Sequence, residues 1–156
     1  MKPLIRTLLA LVLSLSLTGC VVRTAHPPYD PALVAQLMES EAFSEPLEPL
    51  DEDLVWILYD MDASGLRQTD LNSAAGCCSA GATCEQAVVM TFASEHSAMA
   101  AQDHLENYLS GQIEANRSYR PAEVPKLEKA LLSRNRHTVL LVVAHNYDAA
   151  AKLIHE

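Results

Sequence analysis

Apolar residues recur every three to four positions in four segments of the chain, the spacing that puts side chains on one face of a helix. Each segment follows a residue whose side-chain oxygen can accept a hydrogen bond from the first helical turn, as N-cap residues do. The pattern therefore predicts four helices that begin after Asp30, Asp51, Ser94 and Asn146. The first three are predicted to end near Ser40, Asp62 to Gly65 and Gln112.

A second pattern, in which apolar residues alternate or run together over short stretches, predicts strands. The run Val139–Val143 is apolar enough for a central strand covered on both faces. Four strands are predicted, at 66–75, 85–93, 128–134 and 138–144, and the proline-marked stretches 41–49 and 116–126 are predicted to be connectors. The expected fold class is α+β: a small antiparallel sheet of about four strands in the order β-β-α-β-β-α, packed with helices and preceded by two N-terminal helices.

The same patterns predict which side chains form the core. On the long helix the buried stripe is expected at Ala98, Ala101, Leu105, Tyr108 and Leu109. In the two strongest strands the expected core residues are Val88, Met90, Phe92, Leu140 and Val142.

The N-terminal 20 residues have the pattern of a lipoprotein signal. Lys2 and Arg6 precede a short apolar run, about ten residues and too short to span a bilayer, and the run leads to Leu17-Thr18-Gly19-Cys20. These four residues resemble a lipobox, which predicts a signal peptide at 1–19, lipid on Cys20, a flexible tether at 20–28 and one α+β domain at 29–156. The alternative is a cleavable secretory signal that contains a Cys by coincidence. A lipobox predicts a protein anchored to the cell membrane by lipid and facing outside the cytoplasm.

Charge narrows the range of partners. The chain has 11 basic and 20 acidic residues, a formal net charge of −9. The predicted signal peptide contains basic residues but no acidic ones, so the remainder is more acidic still. An acidic domain without a basic cluster argues against nucleic acid as a partner and against electrostatic docking on anionic lipid.

Cys77, Cys78 and Cys84 lie close together in a segment rich in small residues. In an oxidising compartment a disulfide from Cys77 or Cys78 to Cys84 would close a short loop and leave one thiol over, whereas an adjacent Cys77-Cys78 bridge would be strained. Inert reduced thiols, or metal or redox chemistry, are the alternatives. The spacing lacks a paired C-x-x-C and a nearby His, so no metal site is predicted.

Several segments together resemble a bacterial lipoprotein family, the domain of unknown function 4358, over about Tyr29 to Ile154. The resemblance is carried by the lipobox and by the segments Leu58–Asp62, Gly81–Met90, Tyr119–Glu128 and Val139–Val143. The resemblance implies attachment to the outer leaflet of the cytoplasmic membrane. It implies no enzymatic activity, because the family has no established one. The chain departs from the family pattern at Cys84, at Glu85-Gln86, where an acidic pair is usual, and at the turn Arg136-His137, where a glycine is usual.

Five residues of the family-like Tyr-x-Pro-x-Glu-x-Pro-Lys-Leu motif form a possible surface motif: Tyr119, Pro121, Glu123, Pro125 and Lys126. The preferred interpretation is that the prolines shape a loop and that Glu123 and Lys126 form an exposed pair of little energetic value. His96 and His104 lie eight residues apart on the long helix, do not converge on one metal, and are expected to face solvent.

No catalytic residues and no cofactor are predicted, because the chain has no nucleophile elbow, no phosphate-binding glycine loop and no zinc signature. Two hypotheses follow. In the first, the domain is a non-enzymatic module that binds an unknown protein or small-molecule partner at the cell surface. In the second, it is a thiol-redox or metal-binding protein that uses the loop of Cys77, Cys78 and Cys84.

Overall fold

Residues 27–155, the part of the chain that the computed structural model describes, contain five β-strands and five α-helices. In chain order these are α1 (Ala32–Met38), β1 (Glu48–Leu50), α2 (Glu52–Leu58), β2 (Leu71–Cys78), β3 (Gln86–Phe92), α3 (Glu95–Tyr119), α4 (Val124–Glu128), β4 (Leu131–Asn135), β5 (Thr138–Val143) and α5 (Tyr147–His155). The fold is therefore mixed α+β, as predicted. The predicted signal peptide, the lipidation site Cys20 and the tether up to position 26 lie outside the described residues.

The five strands form one antiparallel sheet in the order β1-β2-β3-β5-β4. The predicted count of about four strands and the predicted element order are wrong in two places. β1 overlaps the end of the stretch 41–49, and the short helix α4 overlaps the end of the stretch 116–126. Both stretches were predicted to be connectors without regular structure. β1 and α4 are each too short to show the hydrophobic periodicity by which strands and helices are predicted.

Strand boundaries also differ from the prediction, most of all at β2. The predicted strand 66–75 begins at Leu71 instead, after two 3₁₀ turns, Met61–Ser64 and Gln68–Asp70. It continues to Cys78, so Cys77 and Cys78 are the last two residues of a strand and do not lie in a loop.

Both faces of the sheet are covered, and a separate hydrophobic cluster lies on each. On one face, Val88, Met90 and Phe92 of β3 pack with α2 and α3. On the other, Leu140 and Val142 of β5 pack with α1 and α5. All five side chains are buried, as predicted. The central strands β3 and β5 are apolar on both faces because helices cover both.

The helix N-caps follow the sequence closely. The side chains of Asp51 and Ser94 accept hydrogen bonds from Leu54 N and Ser97 N, and Asn146 Oδ1 accepts one from Ala149 N. At α1 the N-cap is Pro31, although Asp30 Oδ1 still accepts a hydrogen bond from Ala32 N. These caps confirm three of the four predicted helix starts.

The long helix α3 runs seven residues past its predicted end at Gln112 and stops at Tyr119. Ile113 and the buried Asn116 continue its inward stripe. The stop falls before Arg120 because Arg120 precedes Pro121, and a residue before proline is disfavoured in the α region. Among the described residues, no helix is both long and apolar enough to cross a membrane.

The chain enters the domain at the β4–β5 hairpin. Pro27 O accepts a hydrogen bond from Asn135 Nδ2 at 2.6 Å, and Tyr29 N donates to Thr138 Oγ1 at 3.0 Å. Tyr29 OH donates to Ser133 Oγ at 2.8 Å. The last residues of the predicted tether are therefore held beside the hairpin turn.

The hairpin turn contains Arg136 with a φ of 54°, in the left-handed region that costs a residue with a side chain more than it costs glycine. We expect Arg136→Gly to raise the free energy of unfolding by about 0.5–1 kcal/mol, since relief of the left-handed strain is partly offset by the greater chain entropy of glycine. Urea denaturation would measure the change. A loss of stability would show that the turn does not hold this conformation.

Candidate functional site

A buried carboxylate lies at the end of the sheet where β3 begins. Glu85 directly precedes β3, and its side chain is fully buried. Its oxygens accept hydrogen bonds from Ser44 N at 2.7 Å, Ser44 Oγ at 2.6 Å and Lys126 Nζ at 2.8 Å. Three donors, one of them charged, therefore compensate for the water that this carboxylate loses on folding.

Lys126 also contacts a second carboxylate. Its Nζ lies 3.0 Å from Glu123 Oε1, and Glu123 Oε2 accepts a hydrogen bond from Cys84 N at 2.9 Å. The Lys126 and Glu123 side chains are only 17% and 12% exposed. We call Ser44, Glu85, Glu123 and Lys126 the charge cluster. The interpretation of Glu123 and Lys126 as an exposed pair of little value is wrong, because both side chains are largely buried and Lys126 also contacts the buried Glu85.

The cluster shifts the pKa values of two of its members. Burial alone would lower the pKa of the Lys126 ammonium, but hydrogen bonds to Glu85 and Glu123 outweigh burial and raise it. Burial likewise favours a higher pKa for Glu123, but the hydrogen bond from Cys84 N and the contacts with Lys126 lower it. Both groups are therefore held in their charged forms.

These shifts predict how stability depends on pH. Because the pKa of Glu123 is lower in the folded chain than its ordinary value of 4.5, its contribution is present above that value and is lost as pH falls through the folded pKa. The raised pKa of Lys126 has the opposite sense: its contribution is complete below about 10.5 and is lost as pH rises further. Glu123→Gln should therefore flatten the loss of stability between roughly pH 5 and 3, measured by urea denaturation. Parallel profiles for the two proteins would contradict this assignment.

The loop between β2 and β3, residues 79–85, is fixed to the elements around it. Glu45 Oε1 accepts hydrogen bonds from Ser79 Oγ at 2.6 Å and Thr83 Oγ1 at 2.8 Å, and these bonds lower the pKa of the Glu45 carboxyl. From the end of α3, Arg120 Nη1 donates to Gly81 O at 3.0 Å and to Thr83 O at 3.2 Å. Polar contacts therefore tie the loop to the segment between α1 and β1 and to the end of α3.

Beside the charge cluster lies an open groove of about 950 Å³, which we call the α4–α5 groove. Its walls come from α4 with the residues that follow it and from the segment between β5 and the first turn of α5. The side chains that line it include Glu41, Lys126, Lys129, His145, Tyr147 and Asp148. Groups of both charge signs and an aromatic ring that is 41% exposed are therefore available to a ligand.

The remaining residues of the predicted surface motif do not join the cluster. Pro121 and Pro125 are exposed, and Tyr119 is 89% exposed at the end of α3. Tyr119 and Arg120 border a second hollow of about 490 Å³ that also includes Gly81. The motif is thus divided between an exposed part and a part that belongs to the charge cluster.

Cys77, Cys78 and Cys84 are free thiols in the structure, and burial raises the pKa of each, that of Cys77 to about 12. Cys77 belongs to the cluster under α1 and Cys84 to the one under α2 and α3, so the sheet separates these two thiols.

Cys78 is on the same face as Cys84 because side chains alternate along a strand. Cys78 is paired with Gln86, two residues beyond Cys84, and Ser79 N donates to Glu85 O, so Cys84 is at most a diagonal neighbour of Cys78. Such diagonal neighbours are about 7–8 Å apart, beyond the usual disulfide separation. The loop disulfide stays a prediction, and the 79–85 loop would have to shift to form it.

The histidines differ from each other. His96 is exposed, as expected, but the expectation that His104 faces solvent is wrong: it is half-buried, and its Nε2 lies 2.8 Å from Tyr59 O. Within residues 27–155, no group of three or more His, Cys, Asp and Glu is placed to hold a metal ion.

Sequence reasoning missed Ser44, Glu45 and Glu85 as members of this region. The available signal was the position of Glu85, a carboxylate directly before a strongly apolar strand. Comparison of the chain with protein-family models, with curated proteins and with solved structures gives no match. The resemblance to the domain of unknown function 4358 stays a prediction.

Proposed function

We propose that this protein is an extracytoplasmic lipoprotein, held on the cell membrane through lipid on Cys20, whose domain is a non-enzymatic binding or interaction module. The α4–α5 groove is the proposed site for a protein or small-molecule partner. We also propose that the chain is related to the domain of unknown function 4358. Nucleic acid is not among the proposed partners.

The observation that carries the anchoring is the sequence Leu17-Thr18-Gly19-Cys20 after a short apolar run. A small residue before the cut admits the signal peptidase, and the Cys thiol supplies the sulfur of the lipid thioether. Two acyl chains hold a protein on a bilayer far more firmly than one, at about 0.8 kcal/mol for each buried methylene.

Two features of the domain support a binding role over thiol-redox or metal chemistry. Reactive cysteines are thiolates with a lowered pKa in electropositive, accessible surroundings, whereas burial raises the pKa of Cys77, Cys78 and Cys84. The α4–α5 groove offers charged and aromatic groups in one concave surface, as ligand sites do.

Membrane fractionation of Cys20→Ala tests the anchor. We expect the wild type in the membrane fraction, and we expect the variant to leave that fraction or to migrate as a larger, uncleaved precursor. Cys78→Ser is the matched control and should fractionate as the wild type does. A Cys20→Ala protein that stays on the membrane with unchanged mobility would contradict the proposal.

Site-specific photocrosslinking in cells tests the groove. A photoreactive residue at Lys129, on the groove wall, should give saturable crosslinks or a defined mass adduct. The same residue at Asn107, on the exposed face of α3, is the control and should give neither. Equal labelling from both positions would remove the groove as the binding site.

A further inference from the structure

The point at which the chain enters the domain and the proposed binding site lie at opposite ends of the sheet. Pro27 and Tyr29 are hydrogen-bonded to Asn135 and Thr138, beside the β4–β5 turn. β5 runs from there to Val143, which is paired with Gln86 next to the buried Glu85. Five residue steps at about 3.3 Å put these two ends roughly 17 Å apart. We call them the hairpin end and the groove end.

The two ends also differ in charge. From Ala130 to Asn146 the chain has no acidic residue, and at the hairpin end Arg134 lies near the end of β4 and Arg136 lies in the turn. Acidic groups are present there too: Asp30 is next to Tyr29, Glu95 starts α3, and Asp53 accepts a hydrogen bond from Gln68 Nε2 at 2.6 Å. Asp70 is there too, but it pairs with Arg67 at 3.4 Å. At the groove end, carboxylates outnumber cations, with Glu41, Glu45 and Glu48 added to the charge cluster.

We propose that the domain is oriented on the bilayer, with the hairpin end facing anionic phospholipid headgroups and the groove end facing away. This inference rests on the proposed anchor at Cys20. Pro27 lies seven residue steps after Cys20, a reach of at most about 25 Å, so the hairpin end stays close to the bilayer. An anionic surface repels the acidic body within about a Debye length, and the hairpin end is the part it repels least.

The orientation matters for the proposed function because it leaves the groove open to partners outside the cell. A domain lying with its groove end on the membrane would have that groove covered by lipid. The short tether alone does not exclude this pose, since its reach exceeds the length of β5. The distribution of charge selects between the two poses.

Two exposed, uncharged positions at opposite ends of β2 provide matched reporters. Thr69 lies two residues before β2, whose Leu71 pairs with Phe92 beside His137 at the hairpin end. Ala80 lies two residues after β2, at the groove end. Each would be changed to Cys in a Cys78→Ser background and labelled with a fluorophore, since Cys77 and Cys84 are buried. The lipidated protein would then be reconstituted into vesicles that contain phosphatidylglycerol and a headgroup-attached quencher.

We expect quenching at position 69 to exceed quenching at position 80 at least twofold. The difference should shrink in purely zwitterionic vesicles and in the double variant Arg134→Gln, Arg136→Gln. Equal quenching at the two positions, or stronger quenching at position 80, would overturn the orientation while leaving the anchor intact. Protein that fails to float with the vesicles would instead overturn the anchor and the orientation with it. Thermal unfolding of each labelled variant, compared with the wild type, shows that the fold is retained.

Discussion

Replacing Lys126 with Met should lower the free energy of unfolding by about 3–5 kcal/mol, because it leaves the buried Glu85 carboxylate without its cation. Glu123 would also lose its contact with the ammonium group, and the two carboxylates would no longer share a cation. Met keeps most of the length and apolar volume of the Lys stem, so the loss reports on charge rather than on packing. Urea denaturation at neutral pH measures the effect.

Lys129→Met is the matched control for this variant, because Lys129 lies one helical turn further on and is exposed. It should change stability by no more than about 0.5 kcal/mol. A loss below about 1 kcal/mol for Lys126→Met would mean that water reaches the cluster and that Glu85 does not depend on Lys126.

Truncating Phe92 to Ala should cost about 3–5 kcal/mol, since Phe92 is fully buried where β3 meets α3 and the 3₁₀ turns. The surrounding side chains belong to one cluster and can collapse into the space only in part. Chemical denaturation would decide the outcome. Tyr119→Ala removes an aromatic ring that is 89% exposed, so it serves as the control and should shift stability by no more than about 0.5 kcal/mol.

A loss below about 1 kcal/mol for Phe92→Ala would show that the register of β3 is displaced by one residue. Such a displacement would turn Phe92 away from α3 and bring Thr91 into its place. The neighbouring strand offers a cross-check, because Met90 and Val139 are paired in the present register and both are buried.

The sequence predicted the elements whose signals are local. Asp51 and Ser94 cap helices because their side-chain oxygens reach backbone groups only three residues away. β3 and β5 were found because apolar residues occupy five of the seven positions of β3 and five of the six positions of β5. In these segments, local preference and tertiary packing favour the same structure.

β1 and α4 escaped prediction because they depend on their neighbours. Glu48-Pro49-Leu50 is too short to show alternation, and proline argues against a strand unless that strand is at an edge, as β1 is. α4 has five residues with Pro125 among them, a length at which an isolated helix has no stability of its own.

The charge cluster illustrates a limit of a different kind. The spacing of Glu123 and Lys126 was visible as an i, i+3 pair, but their burial was not. Glu85, the buried carboxylate that Lys126 also contacts, is 41 residues from Lys126 in the chain. Whether such a pair is a weak surface contact or a stabilising buried one depends on how α4 docks on the end of the sheet, and no local pattern encodes that docking.

The edges of the sheet bear on how copies of the protein would behave beside one another on a membrane under the proposed lipid anchor. Confinement to a surface brings molecules together and favours pairing between open strand edges, which is a route to aggregation. One edge is β1, only three residues long, and Pro49 within it has no N–H to donate to another chain. The other edge is β4, where Arg134 places a positive charge on the strand and would repel its counterpart in an approaching copy. Both edges of the sheet therefore disfavour pairing with a strand of another copy, at whatever density the proposed anchor would hold the molecules.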